Sequence, residues 1–140
     1  MQRQRAINGH AVRAVFFYTG VADLALEGRD AFLDPSLRIW ENTAKRKMYV
    51  TGGVGVYEKD EAFSKQDYDL PNNGYCESCA ACGMVNFAHR MCRLTGNGDA
   101  ADELERALYN AVLHGISLDG KSTYYRNPLS DRDHMRDNCW

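Results

Sequence analysis

The segment Cys79–Leu94 constrains the fold more than any other. Ala80, Gly83, Met84, Phe87, Met91 and Leu94 line one helical face, and Ala81, Val85, Ala88 and Cys92 line another. A helix that is apolar on most of its sides cannot rest on a surface, so this pattern predicts a central helix with partners packed around it. The partners are readable to either side. From His10 to Leu26, apolar residues recur at Val12, Val15, Phe16, Ala22 and Leu26 with a period of about 3.6 residues, and Gly28 is placed to stop that helix. Asp34-Pro35 reads as an N-cap followed by proline at the first helical position, and Leu37, Trp40, Ala44 and Met48 continue one face to about Tyr49. Asp99 reads as the cap of a fourth helix that carries Leu104, Leu108, Ala111 and Val112 and ends near Gly115. Beyond it, Ile116-Ser117-Leu118 and Thr123-Tyr124-Tyr125 flank Asp119-Gly120, a pair suited to the tight turn of a β-hairpin.

Between the second and third helices the periodicity is lost. Thr51 to Gly74 contains Gly52, Gly53, Gly55, Pro71, Asn72, Asn73 and Gly74, all turn formers. Loops longer than about 15 residues are uncommon inside a domain and tend to be functional or disordered, and Tyr57, Phe63 and Tyr68 argue against disorder. Four helices joined by short turns and one long loop predict an all-α chain of two helical hairpins, a single unit over 1–140, rather than a βαβ protein.

Composition narrows the partners. The chain has 140 residues, 44% hydrophobic and 26% charged, as in ordinary globular proteins. Its net charge of −2 comes from 17 basic and 19 acidic residues mixed along the sequence, which offers neither nucleic acid nor a membrane a basic stripe. No apolar run approaches the roughly 20 residues that cross a bilayer, and Met1-Gln2-Arg3-Gln4-Arg5-Ala6 lacks the apolar core of a secretory signal, so a cytoplasmic location is expected. Of the 5 cysteines, three crowd into Cys76, Cys79 and Cys82, which fits reduced thiols or metal ligands better than a disulfide framework.

Gly53-Val54-Gly55 is not a dinucleotide loop, because Glu58 stands where the third glycine belongs and no helix follows. Cys76, Cys79 and Cys82 lack the fourth thiol of an iron–sulfur run, since Asn86 occupies its position. Glu77-Ser78-Cys79 is more informative: a carboxylate and a thiolate can both ligate zinc. Residues i and i+2 point about 200° apart in a helix but share a face in extended chain, so joint ligation requires the helix to begin no earlier than about Cys79. The plainer alternative, a Glu77 favoured by the helix dipole beside a core Cys79, is preferred on spacing alone. Glu61 and Glu77 could divide acid and base work as glycosidases require, or Glu61 is a solvated loop charge. His10 is a polar helix-end residue, and Tyr125 is either a cross-strand aromatic or a hydroxyl donor to a polar substrate. His89, His114 and His134 receive no chemistry.

Several strings then occur in order: Gly9-His10-Ala11-Val12-Arg13, Tyr49-Val50-Thr51-Gly52-Gly53-Val54-Gly55, Glu61-Ala62-Phe63, Tyr68-Asp69-Leu70-Pro71-Asn72 and Tyr75-Cys76-Glu77-Ser78-Cys79-Ala80. With Glu105-Arg106-Ala107-Leu108-Tyr109-Asn110 and Gly115-Ile116-Ser117-Leu118-Asp119-Gly120, the sequence closely resembles the β-L-arabinofuranosidases of glycoside hydrolase family 127 over nearly its whole length. The resemblance implies an (α/α)6-barrel catalytic domain and hydrolysis, with retention, of terminal β-L-arabinofuranosyl groups on oligosaccharides or glycoconjugates. It implies Glu61 as general acid/base, Glu77 and Cys79 as zinc ligands, and His10 and Tyr125 in contact with the sugar. In the family two adjacent cysteines of a Cys-Cys-Pro-Pro motif complete the zinc site, one of them the nucleophile of a thioglycosyl intermediate. Cys139-Trp140 is not that motif, and Cys139 is expected to precede it. The chain therefore reads as a segment of the barrel with an incomplete zinc site, inactive and poorly soluble alone. The competing expectation is a helical binding module with a structural zinc or no metal.

Overall fold

The computed structural model describes residues 3–130, so His134 and Cys139-Trp140 lie outside the described residues. Four α-helices carry the fold: α1 (Ala11–Leu26), α2 (Leu33–Asn42), α3 (Ser78–Thr95) and α4 (Gly98–Ala107). A 3₁₀ turn, Asp30–Phe32, leads into α2, and α2 and α4 each loosen at the far end into a π-helical turn, Thr43–Lys47 and Leu108–Val112. Among the described residues there is no β-strand, only isolated bridges, and no helix is long and apolar enough to cross a membrane.

Helix α3 is central, as its two apolar faces predict. Ala80, Ala81, Gly83, Met84, Phe87, Ala88 and Met91 are all buried, with α1 on one side and α4 on the other. Gly83 lets α1 come close: a Cβ there would lie 2.2 Å from Val15 Cγ2. The Phe87 ring stacks on Tyr18 of α1 and receives the edge of Trp40 of α2 at 5.2 Å, so one aromatic cluster joins three helices. Gly96, at φ 65°, ends α3 in the left-handed conformation that β-carbons disfavour, and the chain turns directly into α4.

Four local expectations change. Helix α2 starts at Leu33, putting Asp34 and Pro35 inside the first turn, where proline's missing N–H is harmless. Of the expected apolar line only Leu37 is exposed, while Trp40, Ala44 and Met48 face the core; Ser36, Ile39, Asn42 and Thr43 are buried beside them, and the helix stops at Lys47. That polar face is tolerated because its groups are satisfied: Ser36 Oγ and Thr43 Oγ1 donate to Phe32 O and Ile39 O, and Asn42 Oδ1 accepts from Ile7 N–H. The N-cap of α4 is Asn97, whose side chain accepts from Asp99 N–H at 3.0 Å, so Asp99 is a first-turn acid and not the cap.

The expected C-terminal β-hairpin also shrinks. Its turn forms, with Gly120 N–H on Ser117 O, but pairing is limited to the Ile116–Thr123 bridge. The next residues leave for the start of α3, where Tyr125 O accepts from Ser78 N–H at 2.9 Å and Tyr124 O accepts from Ser78 Oγ at 2.6 Å. Those carbonyls are no longer free to extend a ladder.

Candidate active site

The long loop folds back onto the start of α1. Ala11 N–H donates to Glu61 O at 2.7 Å and Phe63 N–H donates to Gly9 O at 2.9 Å, which fixes Glu61 opposite His10. Within the loop, Tyr57 and Ala62 pair through both backbone groups, closing a tight turn in which Glu61 takes φ 47°. A non-glycine residue there is strained, and such strain concentrates at functional sites. The side chain is not merely solvated: Glu61 Oε2 lies 2.8 Å from His10 Nε2. His10 itself is the extended N-cap residue of α1, and its Nδ1 is buried with no hydrogen-bond partner among the described residues.

Glu77 and Cys79 meet where loop becomes helix. Glu77 is extended at φ −95°, ψ 144° and α3 begins at Ser78, one residue earlier than joint ligation was expected to allow. The extended Glu77 is sufficient, because Cys79 Sγ reaches Glu77 Oε2 at 3.3 Å. Glu77 is only 3% exposed, and its Oε1 has no hydrogen-bond partner among the described residues. A buried carboxylate oxygen without a partner is costly, and a cation between it and the thiol would remove that cost. Desolvation and the neighbouring Glu77 carboxylate push the Cys79 thiol up to about 11.

Tyr125 connects the two pairs. Desolvation raises its hydroxyl first, followed by the Glu77 carboxylate beside it and then Cys79 and Glu61, so its phenol sits within the field of both acids. The strap that carries it is tied to the head of α3 through Ser78, and Asn127 N–H donates to Cys76 O at 2.8 Å. His10, Glu61, Glu77, Cys79 and Tyr125, scattered through the sequence, therefore share one end of the helical core. Cys76 and Cys82 are not part of this group. Cys76 is buried with its thiol on Gly55 O at 3.3 Å, and burial pushes it up to about 12.

Three residues of the site went unread in the sequence. Tyr75 lies near Glu77 and Glu61, and desolvation followed by those charges pushes its hydroxyl up to about 12. The Arg126 guanidinium lies 5.4 Å from the Tyr75 ring centre and 3.7 Å from Glu58 Oε1, bracing the strap against the loop. Lys47 is 3% exposed and anchors the loop's far end through Asp67 Oδ1 at 2.9 Å, Ser64 O at 3.1 Å and Gln66 O at 2.5 Å. An aromatic preceding Cys76-Glu77, and a basic run, Lys45-Arg46-Lys47, at the end of the second helical pattern, are the signals that could have pointed to Tyr75 and Lys47. A cavity of about 1010 Å³ opens beside His10 and Glu61, with Arg13, Tyr57, Lys59 and Lys65 on its walls; Glu77, Cys79 and Tyr125 are not in its lining.

The sequence profile of the GH127 β-L-arabinofuranosidase catalytic domain matches residues 1–140. The chain is 44% identical over 137 residues to the non-reducing end β-L-arabinofuranosidase of Bifidobacterium longum subsp. longum, covering 96% of this chain and 21% of that protein. Among solved structures, a GH127 β-arabinofuranosidase superposes with a TM-score of 0.88 at 45% identity, over 93% of this chain and 21% of the other. A GH127 β-L-arabinofuranosidase from Geobacillus stearothermophilus T6 superposes with a TM-score of 0.87 at 44% identity, over 91% and 20%. The chain thus spans about a fifth of the length of these relatives. A match along its entire length, at this identity and with this superposition, means that the chain belongs to the GH127 β-L-arabinofuranosidase catalytic-domain family.

Proposed function

We propose that the polypeptide carrying this chain is a retaining glycosidase that removes terminal β-L-arabinofuranosyl residues from oligosaccharides or glycoconjugates, and that these four helices are part of an (α/α)6 barrel. The observation that carries this reading is the convergence of a His-paired glutamate, Glu61, with a buried Glu77–Cys79 pair around one tyrosine, Tyr125.

In this reading Glu61 is the general acid/base. Its proton passes to the glycosidic oxygen as the bond to the anomeric carbon breaks, so the leaving group departs as a neutral alcohol. In the same step a sulfur nucleophile bonds to the anomeric carbon; the Glu61 carboxylate then takes a proton from the water whose oxygen attacks that carbon as the carbon–sulfur bond breaks, which frees the thiolate and restores the acid form for the next cycle. The sulfur nucleophile is expected outside the described residues. Tyr125 keeps its proton at neutral pH, because desolvation and the flanking carboxylates oppose its loss, so it can donate a hydrogen bond to a sugar hydroxyl. Glu77 and Cys79 fit half of a zinc site: one oxygen and one sulfur donor side by side, with an orphaned carboxylate oxygen. They would hold zinc, which when bound keeps coordinated thiols deprotonated at neutral pH. Among the described residues no third acidic, histidine or cysteine side chain joins them, so the remaining ligands come from elsewhere in the polypeptide.

The test uses the full-length polypeptide, assayed on a β-L-arabinofuranosyl disaccharide with metal content measured in parallel. Glu61→Gln is expected to lower kcat/KM by about 10²–10⁴-fold with zinc retained. Cys79→Ser is expected to lose both zinc and turnover. Normal hydrolysis by Glu61→Gln overturns the acid/base assignment. Zinc without hydrolysis in the unmutated protein favours a binding module.

A further inference from the structure

We infer that Tyr57 is the platform of a leaving-group subsite, on which the neutral sugar ring that carries the β-L-arabinofuranosyl residue stacks. This inference rests on the glycosidase reading and adds to it the half of the substrate that departs. A general acid stands at the bond it breaks, with the cleaved sugar on one side and the leaving group on the other. Glu61 borders two spaces in this way. Toward one lie Tyr125, Glu77 and Cys79. Toward the other opens the cavity of about 1010 Å³, whose walls carry Tyr57 and none of those three.

The loop fixes Tyr57 relative to the acid. Tyr57 N–H donates to Ala62 O at 3.1 Å and Ala62 N–H donates to Tyr57 O at 3.0 Å, so platform and acid belong to one tight turn. The ring is pinned at its polar end: the hydroxyl donates to Asp69 Oδ2 at 3.2 Å and lies 3.1 Å from Oγ of the buried Ser64. Yet Tyr57 is 46% exposed. A tyrosine whose hydroxyl is already engaged offers a ligand chiefly its flat apolar surface, which suits the C–H face of a sugar ring. Arg13, Lys59 and Lys65 share the cavity walls, but all three are exposed, and ordering such long side chains around an anion costs entropy. Asp60 on the same walls offsets part of their charge. The one wall group that is both held in place and uncovered is an aromatic ring, so the subsite is read as taking a neutral sugar and not an acidic one.

The test gives the full-length enzyme two substrates whose alcohol leaving groups both need a proton: a β-L-arabinofuranosyl disaccharide, and methyl β-L-arabinofuranoside, which has no second ring to stack. In Tyr57→Ala, kcat/KM on the disaccharide is expected to fall about 20-fold, chiefly through a raised KM, and on the methyl glycoside by no more than about threefold. Tyr57→Phe keeps the ring and loses only its anchor, so it is expected to retain at least about a third of the disaccharide kcat/KM. Equal losses on both substrates would mean that Tyr57 only supports the turn of Glu61, and no loss on either would mean that another part of the polypeptide covers the ring. Both outcomes overturn the inference, as does a Tyr57→Phe as impaired as Tyr57→Ala. If Tyr57→Ala does not fold, Tyr57→Leu, with apolar bulk but no flat face, is read by the same ratio. The unmutated enzyme gives a reading of its own: kcat/KM is expected to be at least about tenfold higher on the disaccharide, and equal values also overturn the subsite. An unmutated protein that hydrolyses neither substrate defeats the glycosidase reading itself, and the subsite falls with it.

Discussion

The helical core and the loop region are held by different kinds of interaction. In α1, α3 and the start of α4 the buried residues are almost all apolar: Ala11, Val15, Val21, Ala22, Ala80, Met84, Phe87, Met91 and Ala100. Each contributes through burial, and the loss of one methyl group is a local matter of about 1 kcal/mol. The loop Thr51–Gly74 sends only Val54 and Phe63 into the core cluster, and it and the strap around Tyr125 are otherwise fixed by a small number of polar contacts. Lys47 reaches two carbonyls and Asp67, Gly9 and Ala11 grip Glu61 and Phe63, and Ser78 holds Tyr124 and Tyr125. A core built from many interchangeable contacts provides a rigid base. A site built from a few irreplaceable ones fixes side-chain positions, and loses them when one contact goes.

Glycine offers the sharpest comparison, because each region contains one at a close approach. In the loop, a Cβ on Gly52 would lie 2.5 Å from Ala107 Cα, and Gly52 holds φ 87°. Backbone cannot move aside as a side chain can, so Gly52→Ala is expected to destabilise the full-length protein by about 4 kcal/mol, read from urea unfolding of its catalytic domain. Lys47→Met comes next, at about 3 kcal/mol, because it leaves two loop carbonyls and Asp67 without their buried cation. Hydrogen exchange should show the loss of protection confined to the loop, with α3 still protected. In the core, Gly83→Ala would press on Val15 Cγ2, a buried β-branched side chain that must shift with α1, but neither a backbone atom nor a positive φ opposes the change, and about 2 kcal/mol is expected. A Gly83→Ala penalty larger than that of Gly52→Ala would erase the distinction between a forgiving core and an unforgiving loop.

The same distinction explains what the sequence made legible. The existence of α1, α3 and α4, and the central place of α3, follow from apolar spacing, because burial is additive and leaves a periodic trace. The inner face of α2 left only part of such a trace, in Trp40, Ala44 and Met48. Ser36, Asn42, Thr43 and Lys47 are polar in the sequence and acceptable inside only because particular carbonyls and carboxylates meet them in three dimensions. The site was legible in part for a similar reason. Glu77 and Cys79 are two residues apart, so local geometry alone could bring them together once the helix start was known. His10 and Glu61 meet through a long loop closure, and Tyr75 and Arg126 through contacts between distant segments, for which no spacing rule exists. Family motifs pointed to His10 and Glu61 individually, but nothing in the string disclosed that they touch.

Acid provides the finest probe of the loop's anchoring. The Lys47 ammonium, and then the Arg46 guanidinium, hold the Asp67 carboxyl down at about 2, well below its ordinary 3.8. A carboxylate depressed in the folded state contributes stability that is fully present above its unfolded value and disappears as pH falls through the folded one. The loss should therefore run from about pH 4 down to pH 2. Asp67 is 32% exposed, so solvent screening reduces the full linkage value, and about 1 kcal/mol is expected. The measurement is the stability difference between the unmutated protein and Asp67→Asn across that range. It should be constant from pH 7 to about pH 4.5 and shrink steadily below. The same comparison made in a Lys47→Met background should be smaller throughout, since the chief cation opposite Asp67 is gone. A difference that stays level to pH 2 would mean that Asp67 is held by shape and not by charge, and the loop would then resemble the core more than this account allows.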